Sequence, residues 1–95
     1  MESHFNKLTP AEAERLAMLA EECAEVIHVV GKILRHGYES VYNGLDNRTR
    51  LRDEVLDLCV VMNILIEKDF PDYLDPTDAD VDAAFARKQK YSHHQ

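Results

Sequence analysis

The sequence predicts an all-α protein with three main helices. Two long segments place apolar residues at helical spacing. These two segments and a shorter third one each begin with residue types that cap helix N-termini. No segment alternates apolar and polar residues with the period of two that indicates a strand. With 95 residues and 45% hydrophobic content, the chain is expected to form one domain over residues 1–95.

The first helix is predicted over about residues 10 to 36. Thr9, Pro10 and Glu12 supply an N-cap, a proline at the first helical position and the glutamate of a capping box. Gly37 is the candidate C-cap. The apolar residues of this helix form one stripe: Leu16, Leu19, Ala20, Cys23, Ile27, Val30 and Leu34.

The second helix is predicted to begin at Asp46 or Asn47, after a loop with an Asn-Gly turn signal, and to end near Lys68. Its predicted stripe is Leu51, Val55, Leu58, Met62 and Leu65. A third helix, capped by Asp75 or Thr77, is expected over about residues 78 to 90.

The run Leu58–Ile66 contains one polar residue in nine, so a helix formed by it should be buried nearly all round. Two or three helices of a single small subunit can hardly cover every face of such a helix. We therefore expect a homodimer or homotetramer. The two cysteines, Cys23 and Cys59, fall in helical apolar sequence without metal-site spacing and are expected to be small buried side chains.

Two carboxylate clusters interrupt the apolar helical sequence. Glu21, Glu22 and Glu25 lie in the first helix, and Glu54 and Asp57 precede the apolar run of the second. Carboxylates three residues apart project from the same face of a helix. Charged groups in such a setting cost several kcal/mol each unless a positive partner neutralises them, and that run contains no Lys or Arg. Oxygen-only ligands would select a hard divalent cation such as Mg²⁺ or Mn²⁺.

Packing of the two helices in antiparallel orientation would bring the two clusters face to face. Glu54 and Asp57 align with Val61 and Ile64 on the second helix, and Glu22 lies at the margin of the first helix's stripe. A solvated acidic face of an amphipathic helix is the simpler alternative. It is disfavoured because the helical neighbours of these acids are apolar.

The pattern E-E-x-x-E, a spacer and E-x-x-D resembles the signature of the MazG-like all-α nucleoside triphosphate pyrophosphohydrolases, over about residues 16 to 66. The resemblance implies a helical bundle completed by oligomerisation. It also implies Mg²⁺-dependent cleavage of a (deoxy)nucleoside triphosphate between the α and β phosphates, giving the monophosphate and pyrophosphate. By this resemblance Glu22, Glu25, Glu54 and Asp57 bind the metal, and Glu21 supports the site or orients water; Mn²⁺ can substitute.

Basic and apolar residues near the acids are candidates for substrate contacts. Lys32 lies on the helical face of Glu25, and Arg50 is one turn before Glu54, so both are expected to contact phosphate, although surface ion pairing is the simpler reading. Lys88 is a further candidate because basic residues near the C-terminus contact phosphate in proteins with this signature. The base pocket is expected to include Val61 and Ile64 together with a partner subunit; small phage-type relatives act on dGTP or on non-standard nucleotides.

Three alternatives stay open. The chain could belong to the phosphoribosyl-ATP pyrophosphohydrolase branch, although that branch carries Ala-Asp-Leu-x-Tyr-His where this chain has Leu56-Asp57-Leu-Cys-Val-Val. It could be a non-catalytic helical dimer that serves as an interaction module. Glu25 and His28 form half of a di-iron motif, but the second half is missing.

The charge balance restricts the partners. The net charge is −7, and without the five motif carboxylates 13 acidic residues would remain against 11 basic ones. Nucleic-acid polymers and anionic membranes need a basic face, so neither is an expected partner. The chain has no uncharged apolar stretch of transmembrane length, and residues 1–7 do not resemble a signal peptide. A cytoplasmic location is expected.

Overall fold

The computed structural model describes residues 5–94 as three helices with a small hairpin. In chain order the elements are helix α1 (Pro10–His36), strands β1 (Val41–Tyr42) and β2 (Leu45–Asp46), helix α2 (Asn47–Asp69), a 3₁₀ turn (Asp72–Leu74) and helix α3 (Asp78–Lys90). The all-α prediction is confirmed. Residues 1–4, on which the signal-peptide prediction partly rests, lie outside the described residues. None of the helices described has the length and apolar composition needed to cross a membrane.

The ends of α1 follow from local hydrogen bonds. The Thr9 hydroxyl accepts a hydrogen bond from the backbone N–H of Glu12 at 3.1 Å, and the Glu12 carboxylate accepts one from the Thr9 N–H at 2.8 Å. This is the predicted capping box. At the other end Gly37 has φ of 88° and its N–H donates to the carbonyl of Ile33. A residue without Cβ adopts this conformation at no steric cost, so the helix ends here.

The prediction of a strand-free chain is wrong at residues 41–46. Val41 pairs with Asp46 and Tyr42 with Leu45 in an antiparallel hairpin. Asn43 and Gly44, the predicted turn, both have positive φ, as a two-residue hairpin loop with a type I′ turn requires. Strands of two residues are too short to show an alternating pattern, so periodicity could not reveal them.

Helices α1 and α2 pack in antiparallel orientation. Near the start of α1, Arg15 forms an ion pair at 2.6 Å with Asp69, the last residue of α2. At the opposite end, the buried Asn47 side chain donates a 3.0 Å hydrogen bond to the carbonyl of Gly37. These two contacts fix both ends of the helix pair, and they confirm the orientation assumed from the sequence.

The face of α1 that packs on α2 coincides only in part with the predicted stripe, of which Leu19 and Cys23 are half-buried. Val29 of α1 and, on α2, Val61 and Leu65 are the buried apolar residues of the described chain, with exposures of 6%, 7% and 8%. On the predicted stripe, Ile27 and Leu34 are 70% and 82% exposed. The part of the stripe that includes Ile27 and Leu34 therefore lies on an outer apolar face of the described chain. Glu22, expected at the margin of the stripe, is half-buried.

Burial of Leu58–Ile66 all round does not occur within one subunit. Val60 is 51% exposed and Met62 40% exposed, so only one side of this run is covered. The predicted burial of both cysteines is also wrong for the single chain, because Cys59 is exposed and Cys23 only half-buried. Both findings have the same physical reason, since α1 is the only helix that packs extensively on α2 among residues 5–94.

Helix α3 begins where the sequence predicted, but it does not close a bundle. Thr77 and Asp80 form its capping box, so Thr77 rather than Asp75 is the N-cap. Val81 and Phe85 are 58% and 65% exposed, and α3 packs extensively on neither α1 nor α2. The radius of gyration is 17.2 Å, against about 13 Å for a compact domain of this length. The described chain is an antiparallel helix pair with an extended C-terminal arm.

Candidate active site

Three glutamates from both packed helices meet in the α1–α2 interface. One carboxylate oxygen each from Glu22, Glu25 and Glu54 can be chosen so that all three lie within 4.8 Å of one another. All three side chains are half-buried. Glu22 and Glu25 are one turn apart on α1, and the antiparallel packing brings Glu54 of α2 opposite them. The structure thus brings together three of the four predicted metal ligands.

Two of these carboxylates have an oxygen that is buried and has no hydrogen-bond donor in the described part of the chain. These atoms are Oε2 of Glu22 and Oε2 of Glu54. A buried polar atom that loses water without gaining a partner is destabilising, and more so when it carries charge. The cluster therefore needs protons or a cation when the protein is folded.

The electrostatics of the cluster agree with this conclusion. Burial raises the pKa of Glu22, and repulsion from Glu25 and Asp57 adds to the effect. The pKa of Glu54 is raised chiefly by its contact with the Glu25 carboxyl, then by burial and by repulsion from Glu25 and Asp57. Two carboxyl groups in contact form a hydrogen bond only if one carries a proton. Asp57, the fourth predicted ligand, is exposed and lies close enough to repel both glutamates.

An open pocket of about 430 Å³ lies beside the cluster. Its volume is in the range of small-molecule sites. The lining includes two of the cluster's acids, the remaining motif glutamate and a histidine: Glu21, Ala24, Glu25, His28, Val29 and Glu54. The structure therefore places Glu21 in the lining of this pocket. His28, expected to be a surface residue, is exposed but also lines this pocket.

The two preferred phosphate ligands converge on one aromatic ring. The Nζ of Lys32 lies 5.8 Å from the centroid of the Tyr42 ring, and the Cζ of Arg50 lies 5.7 Å from it. A guanidinium N–H of Arg50 also donates to the backbone carbonyl of Tyr42. Within residues 5–94, the ion pairs closer than 4 Å are Arg15–Asp69 and Arg52–Asp53. Neither Lys32 nor Arg50 therefore neutralises the glutamates.

The remaining predicted contacts are not gathered at the pocket. Lys88 is exposed in the last turn of α3, and no extensive packing places α3 against α1 or α2. Val61 is only 7% exposed and belongs to the core, while Ile64 is 37% exposed. Sequence reasoning missed Tyr42. The adjacent Asn-Gly turn was the signal that could have revealed the hairpin that carries it.

The donor set fits a small divalent cation. Ligand oxygens on opposite sides of Mg²⁺ are about 4.2 Å apart, because each bond is about 2.1 Å long. The three glutamate oxygens lie within 4.8 Å of one another, so an ion of this size could contact all three after small side-chain movements. All the donors are hard carboxylate oxygens, which favours Mg²⁺ or Mn²⁺ over softer metals.

Comparisons with protein-family models, curated proteins and solved structures gave no match.

Proposed function

We propose that this chain is a Mg²⁺-dependent nucleoside triphosphate pyrophosphohydrolase of the MazG-like type. It would cleave a (deoxy)nucleoside triphosphate between the α and β phosphates, releasing the monophosphate and pyrophosphate. The observation that carries the proposal is the pair of buried carboxylate oxygens on Glu22 and Glu54, which no donor of the described chain satisfies. The E-E-x-x-E and E-x-x-D motifs that supply these acids support it.

Four residues would hold the metal: Glu22, Glu25, Glu54 and Asp57. When bound, Mg²⁺ or Mn²⁺ would lower the pKa of a coordinated water and offset charge on the phosphates. Glu21 faces the pocket from the exposed side of α1, where its carboxylate can accept a hydrogen bond from the attacking water. No serine or cysteine nucleophile is required, since water attacks the phosphorus directly.

Lys32 and Arg50 would bind the phosphate chain, because both are cations with no acidic partner in the described chain. Ile64 would contact the nucleobase with its exposed part, whereas Val61 would support that surface from within the core. Lys88 would reach a phosphate only from α3, which points to a contribution across a subunit interface. Candidate substrates include dGTP and non-standard deoxynucleotides, encountered in the cytoplasm.

A homodimer or homotetramer would complete the fold. Ile27, Leu34 and Val60 are exposed by 70%, 82% and 51%, and isolated helix pairs rarely leave so much apolar surface in water. Light scattering at micromolar concentration should give a multiple of the 10.9 kDa chain mass. Leu34→Gln should weaken this assembly. A fully active monomer would contradict this part of the proposal.

The exposed apolar faces also favour a second candidate, a non-catalytic helical dimerisation module. Such a module has no use for buried carboxylates without partners, which oppose folding. The phosphoribosyl-ATP pyrophosphohydrolase branch would use the same cleavage chemistry on a different substrate. The substrate assay below separates all three.

The test is a product analysis over a panel of standard and modified nucleoside triphosphates and phosphoribosyl-ATP, with Mg²⁺, Mn²⁺ or a chelator. The proposal predicts monophosphate and pyrophosphate with either metal, no product with chelator, and no product from Glu54→Gln. Release of diphosphate and orthophosphate would contradict the bond assignment. A folded oligomer that cleaves nothing on the panel would favour the interaction module.

A further inference from the structure

We propose that Tyr42 is a positioning residue that holds Lys32 and Arg50 together as a binding site for a polyphosphate anion. The assignment of that anion as the triphosphate of a nucleotide rests on the proposed function, but the positioning by Tyr42 does not. Neither the motif acids nor their spacing involves this tyrosine, which lies in the hairpin between the two helices.

Three elements of the fold converge on the Tyr42 ring. Lys32 comes from α1, Arg50 from α2 and Tyr42 from β1. Both cationic groups lie within 6 Å of the ring centroid, where the negative face of an aromatic ring attracts them. The hydrogen bond from Arg50 to the Tyr42 carbonyl adds a backbone restraint on the guanidinium. Both cations are therefore attracted to the same ring, which offsets part of the repulsion between their like charges.

The position of this pair relative to the acids is set by helix geometry. Lys32 is seven residues after Glu25 on α1, and Arg50 is four residues before Glu54 on α2. At about 1.5 Å per residue, the cations lie roughly 10 Å and 6 Å along their helices from the acids. Because the helices are antiparallel, both displacements point toward the hairpin. Acids and cations thus occupy adjacent places along one helix pair.

The contacts of Arg50 leave one of its donors available for an anion. Arg50 and Glu54 have the spacing of a helical ion pair, yet no such pair forms. The Nε of Arg50 is buried and has no acceptor among the described residues. A buried charge-bearing donor without an acceptor is destabilising, and a phosphate oxygen would satisfy it. Tyr42 is 65% exposed, so a ligand can approach this place from solvent.

The test compares Tyr42→Leu and Tyr42→Phe with Tyr38→Leu as a matched control. Tyr38 lies in the same connection, and the guanidinium carbon over its ring, at 4.9 Å from the centroid, belongs to Arg48, which is not a candidate site residue. Two quantities are measured for each variant: the Kd for inorganic tripolyphosphate in excess Mg²⁺, and KM and kcat for pyrophosphate release. Tyr42→Leu should raise Kd and KM about tenfold and leave kcat nearly unchanged. Tyr42→Phe keeps the ring and should match wild type, as should Tyr38→Leu.

Unchanged Kd in folded Tyr42→Leu would overturn the inference, and so would equal losses in Tyr42→Leu and Tyr38→Leu. If Tyr42→Leu does not fold, Lys32→Gln and Arg50→Gln decide instead. Each should raise the tripolyphosphate Kd, and wild-type Kd in both would overturn the inference. Hydrolysis with wild-type KM in Tyr42→Leu would overturn the inference and leave the proposed function standing. Tripolyphosphate binding that depends on Tyr42, without hydrolysis of any nucleotide, would support the inference and overturn the proposed function.

Discussion

The interface between α1 and α2 contains carboxylates in two places, and their hydrogen-bond partners and pKa shifts are opposite. At the open end of the helix pair, Asp69 receives two hydrogen bonds from Nε of Arg15 and one from its Nη2. Hydrogen bonding from Arg15 lowers the pKa of Asp69. In the middle of the same interface, burial raises the pKa of Glu22, and one oxygen of Glu54 has no donor.

The difference indicates two roles for buried acids in this chain. Where a carboxylate joins helix ends, the sequence provides an arginine in reach of it. Where several glutamates gather, the candidate cations Lys32 and Arg50 lie over the Tyr42 ring, and neither forms an ion pair with a glutamate among the described residues. A bridging acid needs an internal partner, whereas a ligand-binding acid must keep its lone pairs available. We propose that the Glu22–Glu54 region instead receives a cation from outside the chain.

The largest expected difference between the glutamate cluster and the Arg15–Asp69 pair is in the rate of pyrophosphate release. Glu54→Gln removes a metal ligand and should lower the rate of pyrophosphate release by at least about 100-fold. Asp69→Asn removes a carboxylate of the same interface that bonds to Arg15 and is not part of the glutamate cluster, so it should keep a turnover near wild type. Steady-state rates of the two purified variants, each checked for helicity by circular dichroism, provide the measurement.

The stability of apo Glu54→Gln should not fall together with its activity. Without metal, Glu54→Gln relieves repulsion with Glu25 and Asp57, so its melting temperature should equal or exceed that of wild type. If Glu54→Gln loses activity only because it melts well below wild type, Glu54 has a structural role. Wild-type turnover in folded Glu54→Gln would remove it from the active site.

The pH dependence of apo stability should have opposite sign in the two regions. Glu22 and Glu54 have folded pKa values above their ordinary 4.5, so the folded state binds protons more tightly than the unfolded state. Their effect is that stability falls as the pH rises from about 4.5 through the raised values. Asp69 has a folded pKa below 3.8, so its stabilising effect is complete above that value and is lost as the pH falls through the lowered one.

Thermal melting in chelator from about pH 4 to pH 7 measures this dependence. Relative to wild type, Glu54→Gln should lose part of the decline above pH 4.5, and Asp69→Asn should keep it. Added Mn²⁺ should also remove the decline, because the metal binds the ionised carboxylates and stabilises the folded state. If the melting temperatures of wild type and Glu54→Gln fell equally steeply with pH, Glu54 would not contribute to the decline.

The smallest effect is expected for the ion pair at the helix ends. Arg15 and Asp69 have side chains that are 22% and 14% exposed, so solvent screens their attraction in part. Arg15→Gln should lower the melting temperature by roughly 5 °C. The double variant with Asp69→Asn should melt close to the single ones, because both changes remove the same contact. Fully additive losses would mean that the two residues act independently.

The sequence predicts the helices well because their ends depend on local contacts. Thr9 and Glu12 cap α1 through bonds spanning three residues, and Thr77 and Asp80 do the same for α3. The predicted meeting of the two acid clusters also follows from short-range information, namely helical spacing and a short connection. Here the three glutamates meet as expected.

The sequence did not predict contacts between residues far apart in the chain, nor strands of only two residues. Arg15 and Asp69 are separated by 54 residues, and no local pattern links them. Periodicity identified an apolar stripe on α1 but could not tell which partner covers it; Ile27 lies on the outer face while Val29 packs inside. The hairpin that carries Tyr42 has strands of two residues, below the length at which alternation can be detected.

Calorimetric titration with Mn²⁺ tests the central claim most directly, namely that the glutamate cluster receives its neutralising charge from a divalent cation. The account predicts saturable binding to wild type and to Asp69→Asn, with large losses of affinity in Glu22→Gln, Glu54→Gln and Asp57→Asn. These losses should occur on both helices, because neither acidic motif alone completes the usual six oxygen ligands. Absence of binding to wild type, or unchanged affinity in the three cluster variants, would contradict the account.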